Sequence, residues 1–390
     1  MNDAPIGGHV TAVTARSVGV EEELLLVEPG TGVPLAVAGS ALDRAGQQPA
    51  GEAGQDGTPG EDGEAGELKL EFELQQQQLE TNSRPCEDLS ELSGEIRRGR
   101  AMAAEAAGRA GARIAALATS PVPVEPELVR KGRYLMMAAA FGITAYEQLT
   151  CGCHVHVGID SPEEGVGVLD RIGPWLPVLL ALSANSPFWQ GQDSGYASFR
   201  YQAWGRWPSA GPTGAFGSAE AYQATVREMV RTGTLLDSGM VYFDARLSEH
   251  YPTLEVRIAD VCLYADDAVL IAALTRALVE TEARAWQAGT PAGAPRVEML
   301  RLASWRASRS GLADHLLYPY TDRPERAAAV AGALFEHVRD ALDDAGDTDA
   351  VRELLGAVLA RGNGATFQRN ASFDRSLSFV VDQAAEVTGQ

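Results

Sequence analysis

The sequence predicts an α+β fold built on an antiparallel sheet, and two observations carry this prediction. Segments in which apolar and polar residues alternate, as in half-buried strands, occur at residues 18–27, 68–74 and 151–159 and again between residues 240 and 260. Helical segments lie among them without the regular strand–helix–strand repeat of a doubly wound parallel sheet. At 390 residues and 45% hydrophobic composition the chain can bury a sizeable core. We expect residues 1–390 to form a single domain.

The first predicted strand covers residues 18–27, where Val18, Val20, Leu24 and Leu26 alternate with a second set of side chains that includes two glutamates. A Pro-Gly-Thr-Gly turn follows it. The same alternation predicts further strands at residues 68–74, around 79–82, and at 151–159, 240–247 and 253–260.

Helices are predicted from apolar periodicity and from capping residues. An Ala-rich segment over residues 88–118 is the first. The second begins after Ser161, which can cap it, with Pro162 at the first helical position and Glu164 completing a capping box, and extends to about residue 186. Further helices are expected at residues 218–231, 266–287, 324–343 and 348–361.

Residues 46–66 interrupt this pattern. They are rich in Gly, Pro, Gln and acidic residues and contain no apolar side chain larger than Ala. Such a segment cannot bury enough surface to offset its ordering entropy. We predict a disordered acidic loop inside the domain.

The charge and composition of the chain limit the classes of partner that it can bind. With 53 acidic against 32 basic residues the net charge is −21, which disfavours nucleic acid and anionic membranes as partners. The longest apolar run, residues 175–184, is too short to cross a bilayer, and residues 1–20 lack the apolar core of a secretory signal. Four scattered cysteines do not form a disulfide scaffold. A cytoplasmic protein is expected, with homo-oligomerisation left open.

Several predicted strands carry acidic, basic or imidazole side chains at a spacing of two, which places each pair on one face of a sheet. These side chains are Glu21 with Glu23, His154 with His156, and Glu255 with Arg257, and Glu80 lies on a further strand-like segment. If these strands are neighbours, their shared face is lined with carboxylates and requires divalent cations to compensate the charge. Carboxylates with a single imidazole favour Mg²⁺ or Mn²⁺ over Zn²⁺.

Two other metal sites can be weighed against this one. The Cys-Gly-Cys-His-Val-His run suggests a thiolate–imidazole cluster, but alternation points Cys151 and Cys153 away from the two histidines, which indicates small buried cysteines. A metal-dependent hydrolase of the His-x-His type remains an alternative, although such a site needs more histidines than this chain offers in strands. No phosphate-binding Gly-x4-Gly-Lys-Ser/Thr loop is present, so metals and arginines would have to hold any nucleotide phosphates.

As an ordered set, the motifs resemble the type 2 glutamate–cysteine ligase-like carboxylate–amine ligases. The resemblance covers nearly the whole chain except residues 46–66. Its wider superfamily is that of glutamine synthetase, whose Gly-x-His-x-His and Glu-x-Arg strand motifs look like residues 152–156 and 255–257. The motifs lie at residues 18–24, 78–81, 151–158, 186–191, 195–198, 206–208, 251–260, 305–312 and 361–369.

The resemblance implies a curved antiparallel sheet around the active site with helices outside, ATP as a substrate, and at least two Mg²⁺ ions. It implies a nucleotide-binding role for His156 and both a nucleotide-binding and a catalytic role for Arg257. It also implies glutamate as the carboxylate donor and an amine or amino acid as the acceptor. The implied metal ligands are Glu21, Glu23, Glu80, His154 and Glu255.

Two further arginines, Arg200 and Arg206, flank an aromatic stretch and are candidates for binding substrate carboxylates, with surface ion pairs as the alternative. The expected reaction is ATP-dependent formation of a γ-glutamyl amide through an acyl phosphate. A non-catalytic binding protein on the same fold is a second alternative, disfavoured because every expected metal ligand is present.

Overall fold

The computed structural model describes residues 15–44, 68–293 and 296–390. The predicted acidic loop at 46–66 lies outside the described residues, and so do residues 1–14. The strands within the described ranges are β1 (Val18–Val27), β2 (Lys69–Phe72), β3 (Gln78–Asn82), β4 (Arg113–Ala115), β5 (Gly152–Gly158), β6 (Phe188–Trp189), β7 (Gln192–Asp193), β8 (Ala245–Leu247), β9 (Thr253–Asp260), β10 (His315–Leu317) and β11 (Pro324–Arg326).

Seven of these strands form one sheet in the order β2-β3-β1-β5-β9-β8, with β4 also paired to β1. Every strand pair in it is antiparallel. The predicted α+β class and antiparallel sheet are therefore confirmed. The strands β6 with β7, and β10 with β11, form two small separate ribbons.

Helices surround this sheet, and a 3₁₀ turn occupies Ser238–Met240. The α-helices are α1 (Ala38–Arg44), α2 (Leu89–Arg109), α3 (Gly132–Phe141), α4 (Ile143–Tyr146), α5 (Pro162–Ile172), α6 (Leu176–Ser183), α7 (Phe199–Trp204), α8 (Ala219–Arg231), α9 (Ala265–Gln287), α10 (Val297–Ser310), α11 (Ala327–His337), α12 (Arg339–Ala345), α13 (Thr348–Arg361), α14 (Gly364–Ala371) and α15 (Leu377–Thr388).

The main core lies between the sheet and the helices α2, α6 and α9. Most residues of α9 are buried, because α5, α2 and the sheet contact it from different sides. A helix enclosed in this way is apolar around most of its circumference. The opposite face of the central strands carries the polar side chains identified in the sequence.

Three predicted helices are shorter than expected. The first ends at Arg109, because Gly111 adopts a left-handed conformation (φ +80°), and the chain returns as β4 beside β1. The second stops at Ile172 and restarts as α6 after a bend of 72°. The segment predicted as a helix at 324–343 begins as β11 and then forms α11 and α12.

Other local predictions are confirmed. Ser161 caps α5 by accepting a hydrogen bond from the Glu164 amide, with Pro162 in the first turn. In the described part of the chain no single helix is long and apolar enough to cross a membrane; α5 and α6 meet that test only as a bent pair, by length and composition.

Glu22 lies on the core face of β1, where the sequence predicted only apolar residues. Its carboxylate accepts two hydrogen bonds from Arg100 of α2, at 2.9 Å from Nε and 2.6 Å from Nη2, and both side chains are buried. Arg100 also donates to the carbonyls of Cys262 and Leu263. This pair ties the central strand to α2 and to the segment before α9.

We expect Arg100→Ala to lower the free energy of unfolding by about 3–5 kcal/mol, because the buried Glu22 carboxylate would lose its compensating charge. Denaturant-induced unfolding measures this change. The control is Arg109→Ala on the same helix, which removes an exposed pair with Glu105 and should cost no more than about 1 kcal/mol. Equal effects of the two substitutions would contradict the structural role given to the Arg100–Glu22 pair.

Candidate active site

The register of the four central strands places the predicted site residues on one face. Glu23 on β1 is opposite Glu80 on β3, and His156 on β5 is opposite Glu255 on β9. Glu21 is opposite His154 across β1 and β5. The sheet therefore brings together all five of the predicted metal ligands and His156, and we call this surface the carboxylate floor.

One candidate cation site on this floor consists of Glu21, His156 and Glu255. The Nε2 atom of His156 lies 3.2 Å from Glu21 Oε1 and 3.9 Å from Glu255 Oε1. The Nδ1 atom is 3.0 Å from the Thr253 hydroxyl. When Nδ1–H donates to that hydroxyl, the lone pair of Nε2 faces the two carboxylates, which is the usual arrangement of a metal-binding histidine.

A second candidate cation site consists of Glu23, Glu73 and Glu80, whose facing oxygen atoms all lie within 4.8 Å of one another. Burial and the neighbouring Glu23 charge together raise the pKa of Glu73 to about 8. Burial also raises the pKa of Glu80 well above its usual range, together with Glu21 and Glu73. Near neutral pH the protonated forms of Glu73 and Glu80 are therefore favoured, although the Arg257 charge opposes this at Glu73.

Glu73 was not among the predicted site residues. It lies directly after β2, within the segment 68–74 that the sequence predicts as a strand, and alternation places its side chain on the face opposite Phe72 and Leu74. A further signal is its position seven residues before Glu80 at the start of the polar run 73–78. That run alone does not distinguish a ligand from a solvated turn.

His154 lies between the two candidate sites. Its Nδ1 atom is 3.2 Å from Glu21 Oε2, and its Nε2 atom is 3.8 Å from Glu23 Oε1. Burial, together with the nearby Arg257 charge, lowers the pKa of His154. The imidazole is therefore favoured in its neutral form, which is the form that binds a metal.

The floor fits divalent cations on three grounds. Its carboxylates are clustered, two of them hold protons through raised pKa values, and the buried Nε2 atoms of His154 and His156 have no hydrogen-bond partner within the described ranges. Such a donor set, mostly oxygen with imidazole, suits Mg²⁺ or Mn²⁺.

Arg257 enters the floor from a bulge in β9. The register shifts between Cys153 and Val155, so that β9 has one more residue than β5 over this stretch. A bulge bends a strand and changes the direction of its side chains. The Arg257 guanidinium pairs with Glu255 and lies 5.9 Å from the ring centroid of Trp204.

Glu255 is shared between two arginines. Arg246 on β8 donates to its carboxylate at 2.6 Å, on the side away from His156. Burial opposes ionisation of Glu255, but Arg257 and Arg246 hold its pKa well below its usual range. This carboxylate is therefore ionised under all ordinary conditions, in contrast to Glu73 and Glu80.

The two predicted substrate-binding arginines differ in environment. Arg200 on α7 is 2% exposed, and its guanidinium lies against Gly152 of β5 so closely that a Cβ at that position would be 2.3 Å from Nη2. Arg206 is partly exposed and pairs with Glu147 at 2.6 Å. Arg200 thus lies beside the floor. Arg206 instead forms a surface ion pair, which was the alternative to substrate binding.

The remaining metal-site alternatives find no support in the geometry. Cys151 and Cys153 are free, buried thiols in the core, and burial raises the pKa of both well above the usual range. His337 pairs with Glu282, His315 pairs with Asp314, and His250 is exposed. The predicted buried location of the two cysteines is confirmed.

Comparison with known proteins shows the family to which the chain belongs. Residues 17–372 match a family model described as glutamate-cysteine ligase family 2. A relative in Streptomyces avermitilis is 55% identical over 91% of this chain and 94% of its own length. One in Paenarthrobacter aurescens is 51% identical over 96% of both chains. Each of these two carries the name "Putative glutamate--cysteine ligase 2-1".

Among solved structures, a glutamate–cysteine ligase from Francisella tularensis in complex with AMP has a TM-score of 0.67. It is 12% identical in sequence, and the match covers 97% of this chain and 89% of that one. At this identity the similarity concerns the fold. It agrees with the predicted antiparallel α+β architecture.

We expect Mg²⁺ at about a hundred times its dissociation constant to stabilise the wild-type chain by about 2.7 kcal/mol per occupied site. Glu255→Gln and His154→Ala should each lose a large part of this increment, because each removes a ligand atom. Thermal unfolding with and without Mg²⁺, at matched ionic strength, measures the increment rather than the absolute stability.

Glu164→Gln provides the control for this measurement. Glu164 is as buried as Glu255 but binds Arg16 away from the floor. It should therefore keep the full Mg²⁺ increment. If Mg²⁺ stabilised Glu255→Gln as much as it stabilises the wild type, Glu255 would not be a ligand of the cation site.

Proposed function

The chain belongs to glutamate–cysteine ligase family 2, and from that premise we propose that it joins the γ-carboxylate of glutamate to an amine with consumption of ATP. Its class, a ligase that forms carbon–nitrogen bonds, follows from the family. The observation that supports the specific reaction is the carboxylate floor with its two candidate cation sites beside Arg257.

The proposed chemistry starts from the inertness of a carboxylate, whose oxygen is a poor leaving group. A γ-carboxylate oxygen attacks the γ-phosphorus of ATP, the bond from that phosphorus to the β–γ bridging oxygen breaks, and ADP leaves. The amine then attacks the carbonyl carbon of the acyl phosphate. Inorganic phosphate departs with the attacking oxygen, the amine loses a proton, and a γ-glutamyl amide remains.

Two sets of side chains would hold Mg²⁺ in this reaction. One is Glu21, His156 and Glu255; the other is Glu23, Glu73 and Glu80, with His154 between them. Bound at these positions, the cations would neutralise phosphate charge and orient the γ-phosphoryl group for in-line transfer. Arg257 is assigned to the nucleotide phosphates, and His156, as a ligand of the first cation, would act on them through that cation.

Arg257 is assigned the catalytic role. Its guanidinium is fixed by Glu255 and by the Trp204 ring, and it projects from the bulge over the floor. A planar fork of donors can bind two phosphoryl oxygens at once and stabilise the charge that they share during transfer. Glu255 thus contributes both a candidate ligand atom and the orientation of this arginine.

Arg200 is assigned to a carboxylate of the substrate. It is buried next to Gly152 and His154, whereas Arg206 is engaged by Glu147. Glutamate as the donor rests on the family name of the relatives, and the acceptor is an amine or amino acid. ADP release, measured with glutamate and a panel of amines, tests the activity and identifies the acceptor.

With glutamate that carries ¹⁸O in its γ-carboxyl group, we expect one labelled oxygen in each phosphate released, in step with amide formation. The acyl phosphate transfers that oxygen when the amine displaces phosphate. Mass spectrometry of the phosphate measures the label, and a reaction without amine measures background hydrolysis of ATP. Labelled AMP together with pyrophosphate would instead indicate adenylation and would refute the proposed mechanism.

Arg257→Lys should lower kcat by roughly a hundredfold or more, because a single ammonium cannot reproduce bidentate binding of the phosphoryl oxygens. Steady-state ADP release measures this loss. Arg276→Lys is the matched control: Arg276 is a buried arginine paired with Asp347 away from the floor. Unchanged turnover in Arg257→Lys would remove this residue from catalysis.

A further inference from the structure

Asp260, the last residue of β9, carries the inference. The bulge in β9 places Asp260 opposite Gly152 of β5. Gly152 lies two residues before His154 and four before His156, so its position is on the floor side of β5. Asp260 is 0% exposed. Its carboxylate accepts three hydrogen bonds: from the backbone N–H of Asn185 at 2.8 Å, the Ser186 hydroxyl at 2.7 Å and the Ser198 hydroxyl at 2.8 Å.

Two of these donors fix the beginning of α7. Ser198 is the N-cap of that helix and receives a hydrogen bond from the Tyr201 amide. The Ser186 hydroxyl, while donating to Asp260, accepts the backbone N–H of Arg200 at 3.0 Å. The carboxylate of Asp260 is therefore linked through one serine to the main chain of Arg200 and through another to the turn that precedes it.

The side chain of Arg200 is close to the same carboxylate. Its Nη1 atom lies 3.9 Å from Asp260 Oδ1, and its guanidinium donates to the carbonyls of Arg257 and Ile258 at 3.4 Å each. Its buried Nε has no hydrogen-bond partner in the part of the chain that the structure describes. A guanidinium has five N–H donors, so Arg200 is held in place but keeps donors for an anion.

Residues of the C-terminal motif support this arrangement from behind. Gln368 donates to the carbonyl and to the side-chain oxygen of Asn185, at 2.8 and 2.7 Å. Gly364 allows this approach, since a Cβ there would lie 2.0 Å from Asn185 Oδ1. Asn363 donates to the Ala181 carbonyl. The motif at 361–369 therefore supports the segment that presents donors to Asp260.

We propose that Asp260 is a positioning residue that, through Ser186 and Ser198, orients the Arg200 guanidinium for the carboxylate of the donor substrate. The orientation follows from the contacts alone, and only its link to the donor carboxylate rests on the proposed function. Positioning partners of this kind set the geometry of a binding residue without contacting the ligand.

The first experiment tests the orientation without substrate. Exchange of the Arg200 Nε–H with water is followed by NMR, the resonance being assigned from its absence in Arg200→Lys. Asp260→Asn should exchange at least about tenfold faster than wild type, because the guanidinium loses its anchoring charge. Asp347→Asn, a buried carboxylate paired with Arg276 elsewhere, should leave the rate unchanged.

Ser186→Ala is a milder variant for the case in which Asp260→Asn does not fold. It removes the hydroxyl between Asp260 and the Arg200 amide and should also accelerate the exchange. An unchanged rate in Asp260→Asn, or in Ser186→Ala where the first variant is unfolded, would overturn the proposal.

The second experiment is a double-mutant cycle on the KM for glutamate. Asp260→Asn should raise this KM by roughly tenfold to a hundredfold while kcat changes little, since a displaced arginine weakens binding of the ground state. In an Arg200→Lys background the same substitution should add almost nothing. Additive effects would show that Asp260 acts through another route and would overturn the proposal. A wild-type chain inactive with glutamate and every amine would refute the proposed function, while the exchange rates would still decide the orientation.

Discussion

The repulsion among acidic side chains on one face of the sheet is the constraint on which the rest of the site depends. Two like charges 4 Å apart repel by about 4 kcal/mol at the effective dielectric of a protein surface. The negative charge of the floor is compensated in different ways at its two sides. On the β8–β9 side, two arginines neutralise Glu255, whereas on the β2–β3 side Glu73 and Glu80 retain protons. Added cations therefore change the β2–β3 side most.

The central position of β1 explains how one strand can carry glutamates on both faces of the sheet. It pairs with β3 on one side and with β5 on the other, so Glu21 and Glu23 can each meet partners from two directions. On the opposite face Glu22 is neutralised by Arg100 within the core. Three consecutive glutamates are thus tolerated because successive side chains of a strand point to opposite faces, and each face has its own compensation.

The sequence alone was sufficient where regular alternation determines side-chain direction. Glu21, Glu23, His154, His156 and Glu255 all lie in segments whose alternation predicts their side-chain direction, and the structure brings them together as predicted. The fold class was predictable for the same reason. The roles assigned to these residues remain predictions, as does the single-domain organisation.

The rest could not be predicted, because it depends on backbone irregularity or on contacts distant in sequence. The spacing of two from Glu255 predicts Arg257 on the floor, but the bulge in β9 leaves no mark in the residue pattern. Nothing in the sequence shows that Glu73, just after the end of β2, joins a cation site. The helix that carries Arg200 has only six residues, too few for a periodic signal. Gly111 marks the early end of α2, but the sequence does not show that residues 113–115 then pair with β1 instead of continuing the alanine-rich helix.

The two arginines that flank Trp204 show why the irregular elements matter. Their guanidinium carbons lie 5.7 Å (Arg200) and 5.9 Å (Arg257) from its ring centroid. Arg257 is in direct contact with Glu255, a residue of the cation site, so the charge it can offer to another anion depends on what else binds that carboxylate.

Arg200 is held instead by Asp260, which already accepts three hydrogen bonds and stands 3.9 Å away. Its positive charge is therefore only partly neutralised whether or not cations are bound to the floor. The regular strands supply the negative charge, and a bulge and a six-residue helix supply the two cations beside it. The proposed binding of anionic substrates over a carboxylate floor requires both.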